Sequence, residues 1–444
     1  MNLKSLLTLA STLACVTTLH AEGLTNVLSF TEETKIKGPF TEIGGELYFA
    51  CEKGGASNFG YIGKFNPTAG TLTPLHQFTV ETKVKGGFTL VSNAFLWFVC
   101  EKGGPANFGF IGSFSVADNS VTRLHEFTTD AKPKTAPAAL DGNGWCFLAE
   151  KAGASGVGAL LRYVPGSGAS VVASFTTALG VKSESLAVFG GQIYYAAREG
   201  GDTTQLAGKG AGAIGTIDLA SGTVTKLADL NAAGHGAKIK SLVPFQGKLY
   251  YAAEEGGNLA LNSAKGFGAL GYFDPADNSL HPFFVSDDVT TGTKPRGLLP
   301  VGDRLYFNCG EGGPNTYGTF GVITNGTNAV ILGVNDVTIG AKTDVGITRF
   351  GNFIYFVTEL GCANFLGGIS AYELPSPPST PAPALTFTAT DNTLEITWPA
   401  SASDFVLEQS GQLTPENWSV IAGPGVNHAI VRLAGASGFF RLRK

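Results

Sequence analysis

Apolar and aromatic residues fall in short runs along this chain, each followed by charged residues and glycines. LYFACEKGG (47–55), LWFVCEKGG (96–104) and WCFLAEKAG (145–153) open the series. IYYAAREGG (193–201), LYYAAEEGG (249–257), LYFNCGEGG (305–313) and IYFVTELGC (354–362) continue it. Counted from the first residue of each, the spacings are 49, 49, 48, 56, 56 and 49. Such runs, bounded by Gly, Asn and Pro, predict short β-strands. A period near 50 residues with four short strands per unit predicts a propeller-type array.

Each unit divides into strands A to D. In the first, A is KIKGPFTEI, ending at a two-residue turn, Gly44-Gly45; B is ELYFACE, C is GYIGKFN and D is LTPLHQF. Later C–D turns read VADN, LASG, PADN and NGTN, all built from turn formers. Units 4 and 5 carry their extra residues in the B–C loop. Strand D occurs six times, and nothing like it follows ISAYE at 369–373; LTNVLSF stands instead at 24–30. An open array has no reason to displace one strand to the far end. A closed ring does, because the N-terminus then covers the edge of the last blade. The expectation is an all-β fold: a seven-bladed β-propeller of four-stranded blades over 22–373, closed by an N-terminal strand.

The string GELYFACEKGGASNFGYIGKFNPTAGTLTPLHQF resembles the GloVer repeat of bacterial secreted proteins, and KPRGLL (294–299) resembles the stretch that opens its next unit. The resemblance extends over all seven units, strongly in 1, 2, 5 and 6 and weakly in 3 and 7. It implies an exported propeller-like array and brings no settled activity or catalytic residues. The layout is also similar to kelch repeats, with Leu or Val where those carry Trp after the turn, and the Trp-Asp dipeptide of WD40 blades is missing.

Composition adds the compartment. Gly is 61 of 444 residues, about twice the usual share of roughly 7%, as many tight turns require. Residues 1–21 have one Lys, an apolar stretch and a final small residue, which predicts a signal peptide cleaved after Ala21. Export to the periplasm, cell surface or exterior follows. Cys15 raises a lipoprotein alternative, but Thr12 stands where a lipobox wants Leu. No later segment approaches the roughly 18 unbroken apolar residues of a membrane helix. A net charge of −5 gives no electrostatic reason to expect nucleic acid. From Leu374 a Pro-rich linker (374–383) leads to six short β-runs over 384–444, a small β-sandwich-like module. It resembles the fibronectin-III-like modules that end many bacterial exported proteins, with Trp398 and Trp418 as core aromatics.

The mature chain keeps five cysteines, Cys51, Cys100, Cys146, Cys309 and Cys362. Cys51, Cys100 and Cys309 share a repeat slot that Ala197 and Ala253 fill elsewhere, which reads as a small buried site, with one bridge left open. The histidines sit in scattered slots, no Gly-Lys-Ser/Thr loop occurs, and the PADN and VADN turns lack alternating carboxylates. No metal, cofactor or catalytic residue is therefore assigned. Glu254 and Glu255 would serve as an acid–base pair poorly, because neighbouring strand residues point to opposite faces.

Charge is what recurs. A Lys precedes every B strand by 11 to 13 residues: Lys35, Lys83, Lys132, Lys182, Lys238, Lys294 and Lys342. A second base follows two positions later at Lys37, Lys85, Lys134, Lys240 and Arg296. Acids end the B strands at Glu52, Glu101, Glu150, Glu255, Glu311 and Glu359. Folding each A–B hairpin about its turn pairs Lys37 with Glu52, Lys182 with Glu199 and Lys294 with Glu311, but sets Asp344 beside Glu359. Such pairs contribute roughly 0.2–1 kcal/mol each. Alternating strand direction also places the B–C and D–A loops on one face, so the same charges would surround the mouth of a central channel. Two functions stay open on that face. One is a non-catalytic binding or scaffold protein for a protein or glycan ligand, the ring of bases favouring an anionic one. The other is a polysaccharide-active lyase or hydrolase of the envelope.

Overall fold

The computed structural model describes residues 23–343, 346–375, 383–390, 393–411, 418–432 and 439–443. The expected signal peptide, most of the Pro-rich linker and Asp344 lie outside the described residues. The chain divides into two compact units, 1–374 and 375–444.

The first unit is a seven-bladed β-propeller. Blade 1 pairs Thr41–Ile43, Glu46–Ala50, Tyr61–Asn66 and Thr71–Gln77 in that order, all antiparallel. Blades 2, 4, 5 and 6 repeat the arrangement. Leu24–Ser29 pairs with Gly368–Glu373, the C strand of blade 7, and so supplies that blade's outer strand. Leu24 is buried among Tyr306 and Phe320 of blade 6 and Phe356 and Tyr372 of blade 7.

The B strands read as unbroken apolar runs because both faces of a blade are covered by its neighbours. Tyr48 packs into the layer shared with Phe98 and Phe114 of blade 2. Phe49, one residue on, packs into the layer shared with Tyr355 and Ile369 of blade 7. The core is therefore a set of layers between blades. Opposite the B-strand aromatics Phe49, Phe98, Tyr195, Tyr251 and Phe307 stand Gly63, Gly112, Gly215, Gly271 and Gly321 of the C strands. A methyl at any of them would run into that ring, so each glycine makes room for one aromatic.

The recurring EKGG-x-x-NFG phrase is the B–C loop. The Gly54 N–H donates to Asn58 Oδ1 at 3.1 Å, and Gly103 N–H to Asn107 Oδ1 at 3.0 Å. Gly60 and Gly109 have φ of 84° and 91°, and a side chain there would strike the Cys51 or Cys100 carbonyl. The phrase fixes loop shape.

Strand A departs from the expected continuous run. In blade 1 it breaks between the Ile36–Cys51 bridge and Thr41, at Gly38, where a side chain would strike the backbone of Gly86 and Gly87 in the next blade. In blade 3 only the bridges Pro133–Ala149 and Ala138–Cys146 remain. The five cysteines are buried free thiols. Cys51 Sγ lies 3.3 Å from the Tyr61 carbonyl, and burial pushes the Cys309 thiol up to about 12.

Among its described residues, the second unit has six strands in two three-stranded sheets. Trp398 is in its core with Ile396 and Leu407. Trp418 is half-buried under the Arg441 guanidinium, 4.2 Å from the ring centroid.

Candidate functional site

Strand A borders the channel, and its second basic residue, not its first, supplies the wall. A cavity of about 760 Å³ is lined by Lys37, Lys85, Lys134, Glu184, Lys240 and Arg296 around an apolar floor of Phe40, Leu298 and Ile347. Residues of all seven blades contribute to it.

These charges form a belt that runs from blade to blade. Lys37 binds Glu359 of blade 7 at 3.0 Å, and Lys85 pairs with Glu52 of blade 1. Lys85 also lies 3.8 Å from Glu101 in its own blade; Lys134 bridges Glu101 of blade 2 and Glu150 of its own, the latter at 2.8 Å. The expected Lys37–Glu52 pair is thus replaced by two contacts across blade junctions. A hairpin folded on itself includes only its own blade, whereas in the ring the neighbour's acid is within reach. Arg296 adds a hydrogen bond to the Thr343 carbonyl of blade 7 at 3.4 Å.

Blade 4 inverts the pattern. Glu184 stands where blades 1, 2, 3, 5 and 6 place the second base, and Arg198 stands in the slot of Glu52. Arg198 contacts Glu184 at 3.1 Å and Glu254 of blade 5 at 2.6 Å; Lys240 of blade 5 reaches back to Glu184 at 2.7 Å. Arg296 closes on Glu254 at 2.7 Å. The belt then comprises six cations (Lys37, Lys85, Lys134, Arg198, Lys240, Arg296) and six carboxylates (Glu52, Glu101, Glu150, Glu184, Glu254, Glu359). Among the described residues it is charge-balanced, so it does not present a ring of free positive charge.

Titration follows from this geometry. Burial pushes the Glu184 carboxyl up, but Lys240 and Arg198 together outweigh it and hold the group at about 2. Burial opposes the charge on Lys134 as well, yet Glu101 and Glu150 raise it above the usual lysine range. Glu150 falls below its ordinary value, since Lys134 more than offsets its burial. These groups stay ionised across neutral pH.

The seven repeat lysines occupy a different, outer ring. Lys35 lies 3.1 Å from Glu33 and Lys83 3.2 Å from Glu81. Lys182, Lys238 and Lys294 pair with Glu199, Glu255 and Glu311 at 2.6–2.7 Å. Lys132 and Lys342 form no ion pair among the described residues. Of the candidate acids, Glu255 and Glu311 belong to this outer ring, and Glu52, Glu101, Glu150 and Glu359 to the inner belt. Residues two apart on a regular strand share a face, so sequence alone merges the two rings. Six of the lysines, all but Lys35, have φ of 50–60°. In blades 2, 3, 5 and 6 that left-handed kink accompanies an outer first base and a second base at the channel, and blade 1 sorts Lys35 and Lys37 the same way without it. In blades 5 to 7 it also aims the lysine N–H at the preceding blade: Lys238 to Ala211 O, Lys294 to Phe267 O and Lys342 to Gly310 O, at 2.9–3.2 Å.

Two site features escaped the sequence reading. The exchange of Glu184 and Arg198 was visible only as a missing base and a missing acid in aligned slots. The B–C loop residues Phe59, Phe108, Phe267 and Tyr317 recur in one slot as well, next to a residue of positive φ.

No protein-family model matches the chain, and no curated protein matches it in sequence. Solved structures of similar fold include the extracellular domain of BT4673 from B. thetaiotaomicron, at TM-score 0.54 and 11% identity over 84% of this chain. A puromycin-hydrolyzing peptidase of Mycobacterium tuberculosis gives 0.51 and 11% over 82%. This chain spans 45% and 58% of those two proteins. YCF48 bound to D1 peptide gives 0.52 and 11%, with 81% of this chain and 96% of that one covered. At such identity the likeness is one of fold: a β-propeller.

Proposed function

We propose that the protein is a non-catalytic binding or scaffold module of the GloVer type, exported from the cell, that holds a ligand on its loop-bearing face. The observation that carries this reading is the convergence of all seven blades on one cavity of about 760 Å³. Its walls are fixed by inter-blade ion pairs and by strands, which keeps a binding surface preorganised. YCF48, of similar fold, was solved with a peptide bound, which supports binding as a use for this architecture. The charge balance of the belt favours a hydroxyl-rich glycan over a polyanion.

The ion pairs of the belt weigh against general-acid chemistry at Glu184. A general acid needs a carboxyl kept protonated near neutral pH, and Glu184 is held at about 2. The test is to pass neutral and acidic glycans over the immobilised full chain and assay the eluate for new reducing or unsaturated ends. Retention without new ends is expected. New ends that appear in proportion to protein would refute the non-catalytic reading.

A further inference from the structure

The loops of blades 5, 6 and 7 enclose a second cavity of about 630 Å³, apart from the channel. Phe267, Tyr317 and Phe365 supply rings to its wall, and Asp288, Glu311 and Lys342 supply charge. Phe365 is the anomaly. Its φ is 58°, a conformation that costs a bulky side chain strain. The same loop position in the other six units is held by Asn58, Asn107, Gly156, Gly210, Gly266 and Thr316, with φ of 55–73°. Those are mostly the residue types that accept this backbone. The phenylalanine gains no packing in return, because it is 67% exposed; with Val289, at 66%, it is the most exposed large apolar side chain of the propeller among the described residues. A strained, exposed ring on the rim of a cavity has the properties of a binding platform.

Glu311 is taken up by Lys294, but the other two charged groups are unspent. Asp288 and Lys342 are both exposed, and neither forms an ion pair among the described residues. One accepts hydrogen bonds and the other donates them. The loop backbones are bridged internally, Gly312 to Tyr317 and Gly361 to Leu366. That leaves little main chain to pair with an extended peptide.

We infer that this cleft binds a neutral oligosaccharide, one sugar ring stacked on Phe365 and its hydroxyls shared between Asp288 and Lys342. A pyranose has an apolar C–H face that an aromatic ring covers, and a hydroxyl rim that needs both a donor and an acceptor. The inference rests on the reading above that the loop-bearing face holds a ligand, and gives that ligand a place outside the channel.

The test uses the full chain, Phe365→Asn and Asp288→Asn on an array of neutral hexose oligosaccharides, with uronate oligosaccharides and extended peptides alongside. Asn occupies the Phe365 position in blades 1 and 2, so Phe365→Asn is expected to melt at or above the parent temperature. The parent should bind at least one neutral oligosaccharide, and both variants should bind it at least tenfold more weakly. Binding unchanged in Phe365→Asn overturns the cleft and leaves the proposed function standing. Binding to peptides alone overturns the oligosaccharide assignment, and binding to nothing on the array overturns both readings.

Discussion

Reversing the two exchanged charges of blade 4 tests whether the inner belt is an electrostatic unit. Glu184→Lys alone sets a third cation beside Arg198 and Lys240, and Arg198→Glu alone sets a third acid beside Glu184 and Glu254. The scale follows from Glu184, whose carboxyl falls from an ordinary 4.5 to about 2. At roughly 1.4 kcal/mol per pK unit, that gap is on the order of 3 kcal/mol of stabilisation. Its side chain is 16% exposed, so solvent screening removes only part of it. Each single reversal should lose about 3 kcal/mol or somewhat more, since repulsion replaces attraction. The double reversal restores the order of blades 1 to 3. A lysine at position 184 then faces Glu150, as Lys85 faces Glu52, and a glutamate at position 198 faces Lys240. It should recover at least half of the summed loss, a coupling of about 3 kcal/mol or more. Urea unfolding of the full chain and the three variants at pH 7 measures this. The pH dependence adds a second check. A depressed carboxyl stabilises the fold fully above pH 4.5, and that contribution is lost as pH falls through about 2. The stability gap between the parent and Glu184→Gln should therefore be constant above pH 5 and close toward pH 2. Single reversals within about 0.5 kcal/mol of the parent, or a double reversal as unstable as the sum, would refute the belt as a cooperative structure.

Removing residues 23–30 should expose the edge of blade 7 and produce aggregation or a large fall in melting temperature by light scattering and calorimetry; Leu24→Ala alone should cost about 2–4 kcal/mol. An unchanged melt would rule out closure by this strand. Gly60→Ala should cost more than about 2 kcal/mol, because it combines a φ of 84° with a collision against the Cys51 carbonyl. Gly44→Ala, with open space around it, should cost about 1 kcal/mol. Equal losses at the two sites by urea unfolding would contradict that account of the repeated phrase.

What the sequence determined here is written in short-range patterns. Seven apolar runs at a near-constant spacing establish the blades, since a strand's period and its turn residues are local properties. The D-like strand at 24–30 establishes ring closure, because an edge strand has only one place to go. The alternation of Cys and Ala in one slot identifies a small buried site. The charges were legible as a repeat but not as partners. Which acid Lys37 meets depends on the neighbouring blade, and Glu359 lies 322 residues away along the chain. Which of two bases faces the channel goes, in blades 2, 3, 5 and 6, with a left-handed kink at the first, a conformation that lysine does not advertise. The cleft around Phe365 needs loops of three blades brought together. Packing of successive blades does that, by setting side by side surfaces that no single repeat contains.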